Sequence, residues 1–270
     1  MGVGSLVDNQ AQINAFLEIQ MKTQMNVYIP IPSNQIFSTS LFNSTTFNYR
    51  YFKIMAQSAS NAGKKLIKID VTSDSVCPWC FVGKKGLDKA VALSKDQYNF
   101  EIKWHPFLLD PSAPKEGVNK KDHYKNKFGS RADQMHARMT QVFKGHGLDY
   151  DLSGLTGSSL DSHRLILFAG KQGLDKQHNL VEELMNGYFT QGKFIGDKEF
   201  LVESARKVGL EGAAEFLQDP NNGLQEVNEE LGKYAANISG VPHYVINGKH
   251  QLSGGQPAEV FLRAFQVTAN

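Results

Sequence analysis

The chain has 270 residues, of which 41% are hydrophobic and 21% are charged, and its formal net charge is +2 at pH 7. This length and composition are typical of a globular protein with one or two domains and a sizeable core. So small a net charge gives no electrostatic reason to expect nucleic acid or a membrane as a partner. No apolar run approaches the roughly 18 residues of a transmembrane helix.

Residues 1–63 differ from the rest of the chain, because they are rich in Ser, Asn, Gln and Thr and nearly free of acidic residues. We predict that they form a disordered extension outside the fold. They lack the basic and apolar regions of a secretory signal, so we expect a cytoplasmic protein. Targeting to an organelle by this extension stays open, as does a natural start at Met55.

A first strand is predicted from Leu66 to Val71, because Ile67, Ile69 and Val71 alternate along it. Apolar residues then recur at helical spacing around Leu87, which predicts a helix. The turn between the strand and the helix contains the only two cysteines of the chain, in the motif Cys77-Pro78-Trp79-Cys80.

A Cys-x-x-Cys motif at a strand-to-helix turn is typical of a dithiol redox site. Backbone N–H groups at a helix N-terminus stabilise a thiolate, so we predict that Cys77 is the attacking thiol. Pro78 suits the first helical turn, where its missing N–H costs nothing. Cys80 follows one turn later and is predicted to resolve a mixed disulfide on Cys77. We expect Pro78 and Trp79, which separate the two sulfurs, to tune the dithiol.

Two simpler interpretations of the cysteines compete with this one. Half of a zinc site is the first, but a structural zinc usually has four ligands, and the sequence has no second Cys-x-x-Cys or Cys/His cluster. We therefore predict no metal ligands. A pair of ordinary buried cysteines is the second interpretation.

Further along, apolar and polar side chains alternate from Phe100 to Trp104, which predicts a second strand. The first predicted elements therefore form a βαβ unit. A helical pattern of about five elements runs from about Lys115 to Ile238. Strands return at His243 to Ile246 and after Asn247-Gly248, which is a strong hairpin signal. A last helix is predicted to begin at Pro257.

This order predicts an α/β protein with a thioredoxin-like fold that carries a large inserted helical domain. The predicted parts are 64–109 for the first thioredoxin-like segment, 110–237 for the helical insertion and 238–270 for the second thioredoxin-like segment.

Several motifs in this order resemble the DsbA-like thioredoxin superfamily, and more closely its FrnE-type dithiol-disulfide oxidoreductases. The resemblance extends from about Lys65 to Val267. The motifs are Cys77-Pro78-Trp79-Cys80 with Phe81-Val82-Gly83-Lys84, Trp104-His105-Pro106-Phe107, Ser162-His163-Arg164, Tyr188-Phe189, Ile195-Gly196-Asp197, Gly240-Val241-Pro242, Val245-Ile246-Asn247-Gly248 and Leu252-Ser253-Gly254-Gly255-Gln256-Pro257.

The resemblance implies that Val241-Pro242 is a cis peptide that faces the dithiol, and that the main chain before the proline pairs with bound substrate. From the residues alone, Pro242 is a proline at the start of a strand. The strongly oxidising periplasmic relatives carry histidine between the cysteines, where this chain has Trp79, and an indole contributes no charge. The reducing potential of the cytosol would also keep the two cysteines as thiols. We therefore expect reductase or isomerase chemistry.

Other residues near the motifs carry weaker expectations. His243 follows the proline and is a candidate to approach Cys77 and contact substrate. Asp74 is expected to cap the helix that begins at the motif. His163 is expected to be a satisfied core histidine, and Arg164 to form an ion pair within the helical block, although it could also grip a carboxylate of glutathione.

The leading functional hypothesis is a thiol-disulfide oxidoreductase that acts on protein or small-molecule disulfides, with no resident cofactor and with glutathione or a thioredoxin-type protein as its electron donor. A glutathione-dependent transferase or isomerase, of the kappa-class or chromene-carboxylate isomerase type, is an alternative. Those relatives use serine at the active position, so the presence of both cysteines argues against it. A metal or iron–sulfur module and a non-enzymatic interaction protein are further alternatives.

Overall fold

The protein is described by a computed structural model that covers residues 63–269. The predicted disordered extension therefore lies outside the described residues, apart from Gly63. The strands are β1 Lys65–Ser73, β2 Tyr98–Pro106, β3 Val118–Asn119, β4 Leu155–Thr156, β5 His243–Ile246 and β6 His250–Ser253. The helices are α1 Pro78–Ser94, α2 Lys120–Phe128, α3 Ala132–Gly145, α4 Leu160–Gln172, α5 Leu174–Thr190, α6 Lys198–Lys207, α7 Ala213–Gln218, α8 Leu224–Glu230 and α9 Ala258–Thr268.

The central sheet has four strands in the order β2-β1-β5-β6. β1 and β2 are parallel and are joined through α1, which confirms the predicted βαβ unit. Ile67, Ile69 and Val71 are buried on one face of β1, as their alternation predicts. β1 ends at Ser73, so the chain leaves the middle of the sheet just before the two cysteines.

A tight hairpin closes the other side of the sheet. β5 pairs antiparallel with β1, and β6 pairs antiparallel with β5. Residues 247–249 connect β5 and β6, and the Lys249 N–H donates to the Ile246 carbonyl at 3.1 Å. Asn247 and Gly248, at the centre of this turn, both have positive φ (50° and 70°), as a tight hairpin turn requires. α9 follows and packs on α1 and β5. It begins at Ala258, one residue after the predicted start, and Pro257 is its N-cap.

The helical insertion lies between β2 and β5, and it contains more elements than the five or so predicted. Helices α2 to α8 occupy it, together with a 3₁₀ turn at Gly129–Arg131 and a π-helical turn at Leu231–Ala235. The short strands β3 and β4 pair with each other there. A two-residue strand has no periodicity, so the sequence could not reveal this pair. The short helix α7 escapes the same analysis because it spans fewer than two turns.

Aromatic packing joins the insertion to the helix that follows the dithiol. Phe81 of α1 lies 5.8 Å from Phe143 of α3 and 5.9 Å from Phe189 of α5, measured between ring centroids. Phe143 and Phe189 are themselves 5.7 Å apart. All three rings are buried in one hydrophobic cluster that also includes the sheet. The insertion and the thioredoxin-like segments therefore share a core, which fixes the insertion beside the cysteines.

Within residues 63–269, no helix combines the length and the apolar character needed to cross a membrane.

Candidate active site

Cys77 is the N-cap of α1, and Pro78 is the first residue of the helix. The N–H of Cys77 donates to the Asp74 carbonyl at 3.0 Å, and the Cys77 carbonyl accepts from the Cys80 N–H at 3.0 Å. These bonds place both sulfurs on the first turn of α1. Both cysteines are free; Cys77 is 5% exposed, whereas Cys80 is fully buried. Only Cys77 is therefore accessible to a substrate.

Burial raises the pKa of the Cys80 thiol well above its ordinary value, and the neighbouring Cys77 sulfur raises it further. Ser73 and the backbone of Asp74 act in the opposite direction but do not outweigh burial. Cys80 therefore keeps its proton while the site is at rest. This protonation state suits a thiol that reacts second.

The Val241–Pro242 peptide is cis, as the resemblance implies. The Cys77 thiol donates to the Val241 carbonyl, with 3.7 Å between Sγ and O. The Pro242 carbonyl accepts from the Gly254 N–H at 2.8 Å, so the loop before β5 is tied to the loop after β6. The structure thus brings together the dithiol and the peptide that were predicted from two distant motifs.

The His243 side chain is directed to the hairpin, because its Nδ1 lies 3.1 Å from the Ser253 hydroxyl. Burial lowers the pKa of His243, which favours the neutral ring. It supplies no positive charge in that state. A role of His243 in substrate contact stays a prediction.

Asp74 does not cap α1, so the expectation of a helix cap is wrong. No side chain caps α1 at Cys77. The buried Asp74 carboxylate instead accepts from the Leu109 N–H at 2.8 Å and from the Val76 N–H at 3.3 Å. His163 Nε2 lies 3.3 Å from the same carboxylate. Asp74 therefore ties the turn before the dithiol to the chain after β2 and to α4, and His163 is a partnered core histidine, as predicted.

Arg164 forms the expected ion pair within the helical block. Its Nη1 donates to the Asp161 carboxylate at 2.7 Å, and its other nitrogens donate to the carbonyls of Asp219 and Asn222. Because all of these partners lie inside the insertion, we interpret the Arg164 guanidinium as a structural group.

Trp79 is half-buried between the two thioredoxin-like segments and the insertion. Its ring packs on Gly255, where a Cβ would lie only 3.0 Å from Trp79 Cε3. The Arg138 guanidinium of α3 lies 5.4 Å from the indole ring centroid, which is a cation–π distance. Trp79 therefore holds α1 against both the β6–α9 loop and α3.

A cavity of about 400 Å³ opens beside Cys77, between the cis-proline loop and helices α2 and α3. Carbon atoms form most of its wall. The apolar side chains of this wall include Leu109, Phe128, Met135, Met139 and Leu152. A cavity of this size and character fits an apolar group of a ligand that reaches Cys77.

Two tyrosines that the sequence analysis did not single out, Tyr124 and Tyr150, line the same cavity. Hydrogen bonding with Tyr150 and Tyr188 affects the pKa of Tyr124. The Tyr188 hydroxyl lies 2.6 Å from the Thr156 hydroxyl. The sequence carries a weak signal for Tyr124, because it precedes the apolar residue Phe128 by one helical turn. Tyr150 lies between α3 and β4, where no periodicity marks it.

Across the described part of the chain, no group of three or more His, Cys, Asp or Glu side chains is placed to hold a metal ion.

Comparison with known proteins supports the resemblance noted from the sequence. The profile of the family described as "DSBA-like thioredoxin domain" matches residues 68–266. The uncharacterized protein YwbO of Bacillus subtilis is 27% identical over 201 residues, which cover 73% of this chain and 95% of that protein.

Two solved structures are also similar. A probable DsbA oxidoreductase from Streptomyces coelicolor is 30% identical, with a TM-score of 0.67 over 76% of this chain and 91% of that one. A putative protein disulfide isomerase from Nitrosomonas europaea has a TM-score of 0.58 over 76% of this chain and 97% of that one. At 14% identity, the second similarity concerns the fold alone.

Proposed function

The chain belongs to the DSBA-like thioredoxin domain family, and from this membership we propose that it is a thiol-disulfide oxidoreductase that acts through Cys77 and Cys80. One observation carries the proposal. The accessible sulfur of Cys77 lies at the start of α1 and 3.7 Å from the Val241 carbonyl of the cis-proline loop, while Cys80 is buried one turn away.

The reaction begins when the Cys77 thiolate attacks one sulfur of a substrate disulfide. A mixed disulfide forms on Cys77, and the other substrate sulfur leaves with the electron pair of the broken bond. Cys80 then gives its proton to solvent and attacks the Cys77 sulfur. The bond between Cys77 and the substrate sulfur breaks, and that sulfur leaves as a thiolate that takes a proton from solvent. The substrate disulfide is reduced to two thiols, and the dithiol of the protein is oxidised to a disulfide.

The roles of the neighbouring residues follow from this scheme. Val241 and Pro242 bind the substrate chain beside the mixed disulfide, since the Val241 carbonyl already contacts the Cys77 thiol. Pro78 starts the helix without an unpaired N–H, and Trp79 fixes the first turn against Gly255 and Arg138. An immobile first turn keeps the two sulfurs at a constant separation.

We assign the reductase or isomerase direction to this protein, with a thiol such as glutathione or a thioredoxin-type protein returning the dithiol to its reduced form. The support is the residue between the cysteines. Trp79 brings no positive charge to the thiolate, and the Arg138 guanidinium lies over the ring of the indole. A cytoplasmic location belongs to the same proposal, because a reducing compartment keeps such a pair as a dithiol.

Trapping of the mixed disulfide tests the proposal. A Cys80→Ser variant treated with a small disulfide is expected to retain one substrate thiol on Cys77, because no second sulfur can release it. Mass analysis of the peptide that contains residues 77–80 detects this adduct, and added reductant removes it. The wild-type protein is expected to show an internal disulfide and no adduct.

The matched control is Cys77→Ser, which leaves the buried Cys80 and should form no adduct. Full turnover by Cys80→Ser at the wild-type rate would contradict the dithiol mechanism. It would favour the glutathione-dependent transferase or isomerase alternative, which needs only the first position.

A further inference from the structure

The cavity beside Cys77 is lined by two tyrosines, Tyr124 and Tyr150, whose phenols the exchange scheme does not yet use. Tyr124 comes from α2, and Tyr150 comes from the segment between α3 and β4. Both side chains line the cavity together with Cys77. Each is half-buried, so its ring is packed while its cavity side stays open.

Packing alone does not account for these hydroxyls. Tyr124 stacks on Phe128 with 5.9 Å between ring centroids, and Tyr150 packs 4.7 Å from Phe143. Phenylalanine would serve both contacts equally well. The hydroxyl of the neighbouring Tyr188, by contrast, has a structural partner in Thr156 at 2.6 Å. For Tyr124 and Tyr150, the side chains whose hydrogen bonding affects the pKa are other phenols, and the wall of their cavity is mostly carbon.

The protonation of the two phenols suits them to donate hydrogen bonds. Burial raises the pKa of Tyr124 and of Tyr150 above the ordinary value, and negative charge on Cys77 adds to the effect in both cases. Each hydroxyl therefore stays neutral at physiological pH. A neutral O–H close to a site where a thiolate develops is an attractive partner for that thiolate, and it places no competing negative charge there.

We propose that Tyr124 and Tyr150 donate hydrogen bonds to the thiolate that leaves the substrate disulfide when Cys77 attacks. This inference rests on the proposed function. In that step a bond forms between the Cys77 sulfur and one substrate sulfur, and the substrate S–S bond breaks. The departing sulfur takes the electron pair and lies in the cavity, where the phenols stabilise its charge until it acquires a proton from solvent.

This assignment defines the class of substrate that benefits from the cavity. An apolar alkyl disulfide releases a thiol of high pKa, which is a poor leaving group and gains most from hydrogen bonds to its charge. An electron-poor aryl disulfide releases a thiolate that is stable without help. We therefore assign the cavity to small or side-chain disulfides with apolar alkyl substituents.

The test compares two apolar disulfides that differ in the pKa of their leaving thiols, dibenzyl disulfide and bis(nitrophenyl) disulfide. The reduced protein is mixed with each in a single turnover, and the release of the first thiol is followed. The double substitution Tyr124→Phe with Tyr150→Phe is expected to slow the reaction of dibenzyl disulfide by about ten- to a hundredfold, the size of effect typical of hydrogen bonds to a charged group. The reaction of bis(nitrophenyl) disulfide is expected to change by less than about threefold.

Tyr98→Phe is the matched control, because Tyr98 packs near Phe265 on the sheet and does not line the cavity. It should change neither rate. An equal loss for both disulfides in the double variant would show a packing role and overturn the inference, and so would no loss for either. If the wild-type protein reduces neither disulfide, the proposed function fails and this inference fails with it; if the wild type reduces both, only the selective loss is in question.

Discussion

Gly83 lies on α1 at a point where the helix touches the cis-proline loop. A Cβ built at this position would lie 2.1 Å from the Tyr244 hydroxyl oxygen and 3.2 Å from Pro242 Cγ. Tyr244 is fully buried on β5, so its ring has no room to withdraw. The absence of a side chain at Gly83 therefore allows the loop to approach the dithiol helix.

Replacement of Gly83 by alanine is expected to destabilise the protein by about 1 to 3 kcal/mol, the usual cost of overpacking a core. It should also slow disulfide reduction, because relief of the clash moves Pro242 away from Cys77. Urea unfolding and the single-turnover rate measure the two effects.

Gly145→Ala is the matched control, since a Cβ at this helical glycine would meet nothing within 4 Å. It should be neutral or stabilising by less than about 1 kcal/mol. Equal stability of the two alanine variants would contradict the packing argument for Gly83.

At the residue scale, the sequence predicts arrangements within one motif, but not contacts between residues that the fold brings together from distant segments. Cys77, Pro78 and Cys80 lie within one motif, so their arrangement at a helix start follows from spacing. Tyr124 and Tyr150 meet only because α2 and the chain after α3 fold over the same cavity. No sequence pattern within either segment indicates that the two tyrosines are neighbours.

At the scale of elements, a buried histidine fastens the end of the helical insertion to the sheet. His105 of β2 is fully buried; its Nε2 lies 2.7 Å from the Asp70 carboxylate, and its Nδ1 contacts the Glu230 carboxylate. Its ring also stacks on Tyr234 of the π-helical turn. We call these four residues the His105 clasp. The chain that leaves the clasp runs directly to Val241, so the clasp anchors one end of the cis-proline loop.

The clasp also makes stability depend on pH. The contact with His105 lowers the pKa of Asp70. Burial opposes the ionisation of Glu230, but its contacts with His105 and Lys103 outweigh burial and lower its pKa too. A carboxyl whose pKa is lower in the folded state than in the unfolded state stabilises the fold above its unfolded pKa. That contribution is lost as the pH falls through the folded pKa.

We expect His105→Gln to destabilise the protein by about 2 to 4 kcal/mol at neutral pH, because it removes a buried partner of two carboxylates. The difference from wild type should shrink as the pH falls below about 4, where the carboxyls of Asp70 and Glu230 become protonated in both proteins. Denaturant unfolding across this pH range measures it. Hydrogen exchange should quicken in residues 231–241 of the variant.

Lys68→Gln is the control on the same sheet, since Lys68 forms an exposed ion pair with Glu101 at 3.2 Å. It should cost less than about 1 kcal/mol. A pH-independent loss in His105→Gln, or unchanged exchange in residues 231–241, would contradict the role of the clasp.

The elements themselves were predictable to the extent that periodicity marks them. β1, α1 and the β5–β6 hairpin follow from alternation, helical spacing and the Asn247-Gly248 turn. The clasp could not be predicted, because Glu230 and His105 belong to elements separated by most of the insertion. The capping role expected of Asp74 failed for a related reason: its partners, Leu109 and His163, come from other parts of the chain.

At the scale of the whole molecule, the fold packs the helical insertion against α1, and the insertion shares one core with the thioredoxin-like segments. The thioredoxin-like segments supply the dithiol and the cis-proline loop. The insertion supplies most of the cavity wall, the two phenols and the cation over Trp79. The sequence alone predicts this division of the chain, since its motifs appear in order. How closely the insertion covers Cys77 depends on packing among Phe81, Phe143 and Phe189.

A redox titration of the purified protein in glutathione buffers, followed by alkylation and mass analysis of the peptide with residues 77–80, decides whether the two cysteines form one redox couple. We expect a reversible two-electron transition between the dithiol and an internal disulfide, with a midpoint of about −270 to −200 mV. A midpoint near about −120 mV would keep the couple but reverse the proposed direction. If no internal disulfide forms at any redox potential of the buffer, Cys77 and Cys80 are not a redox pair and the oxidoreductase function is wrong.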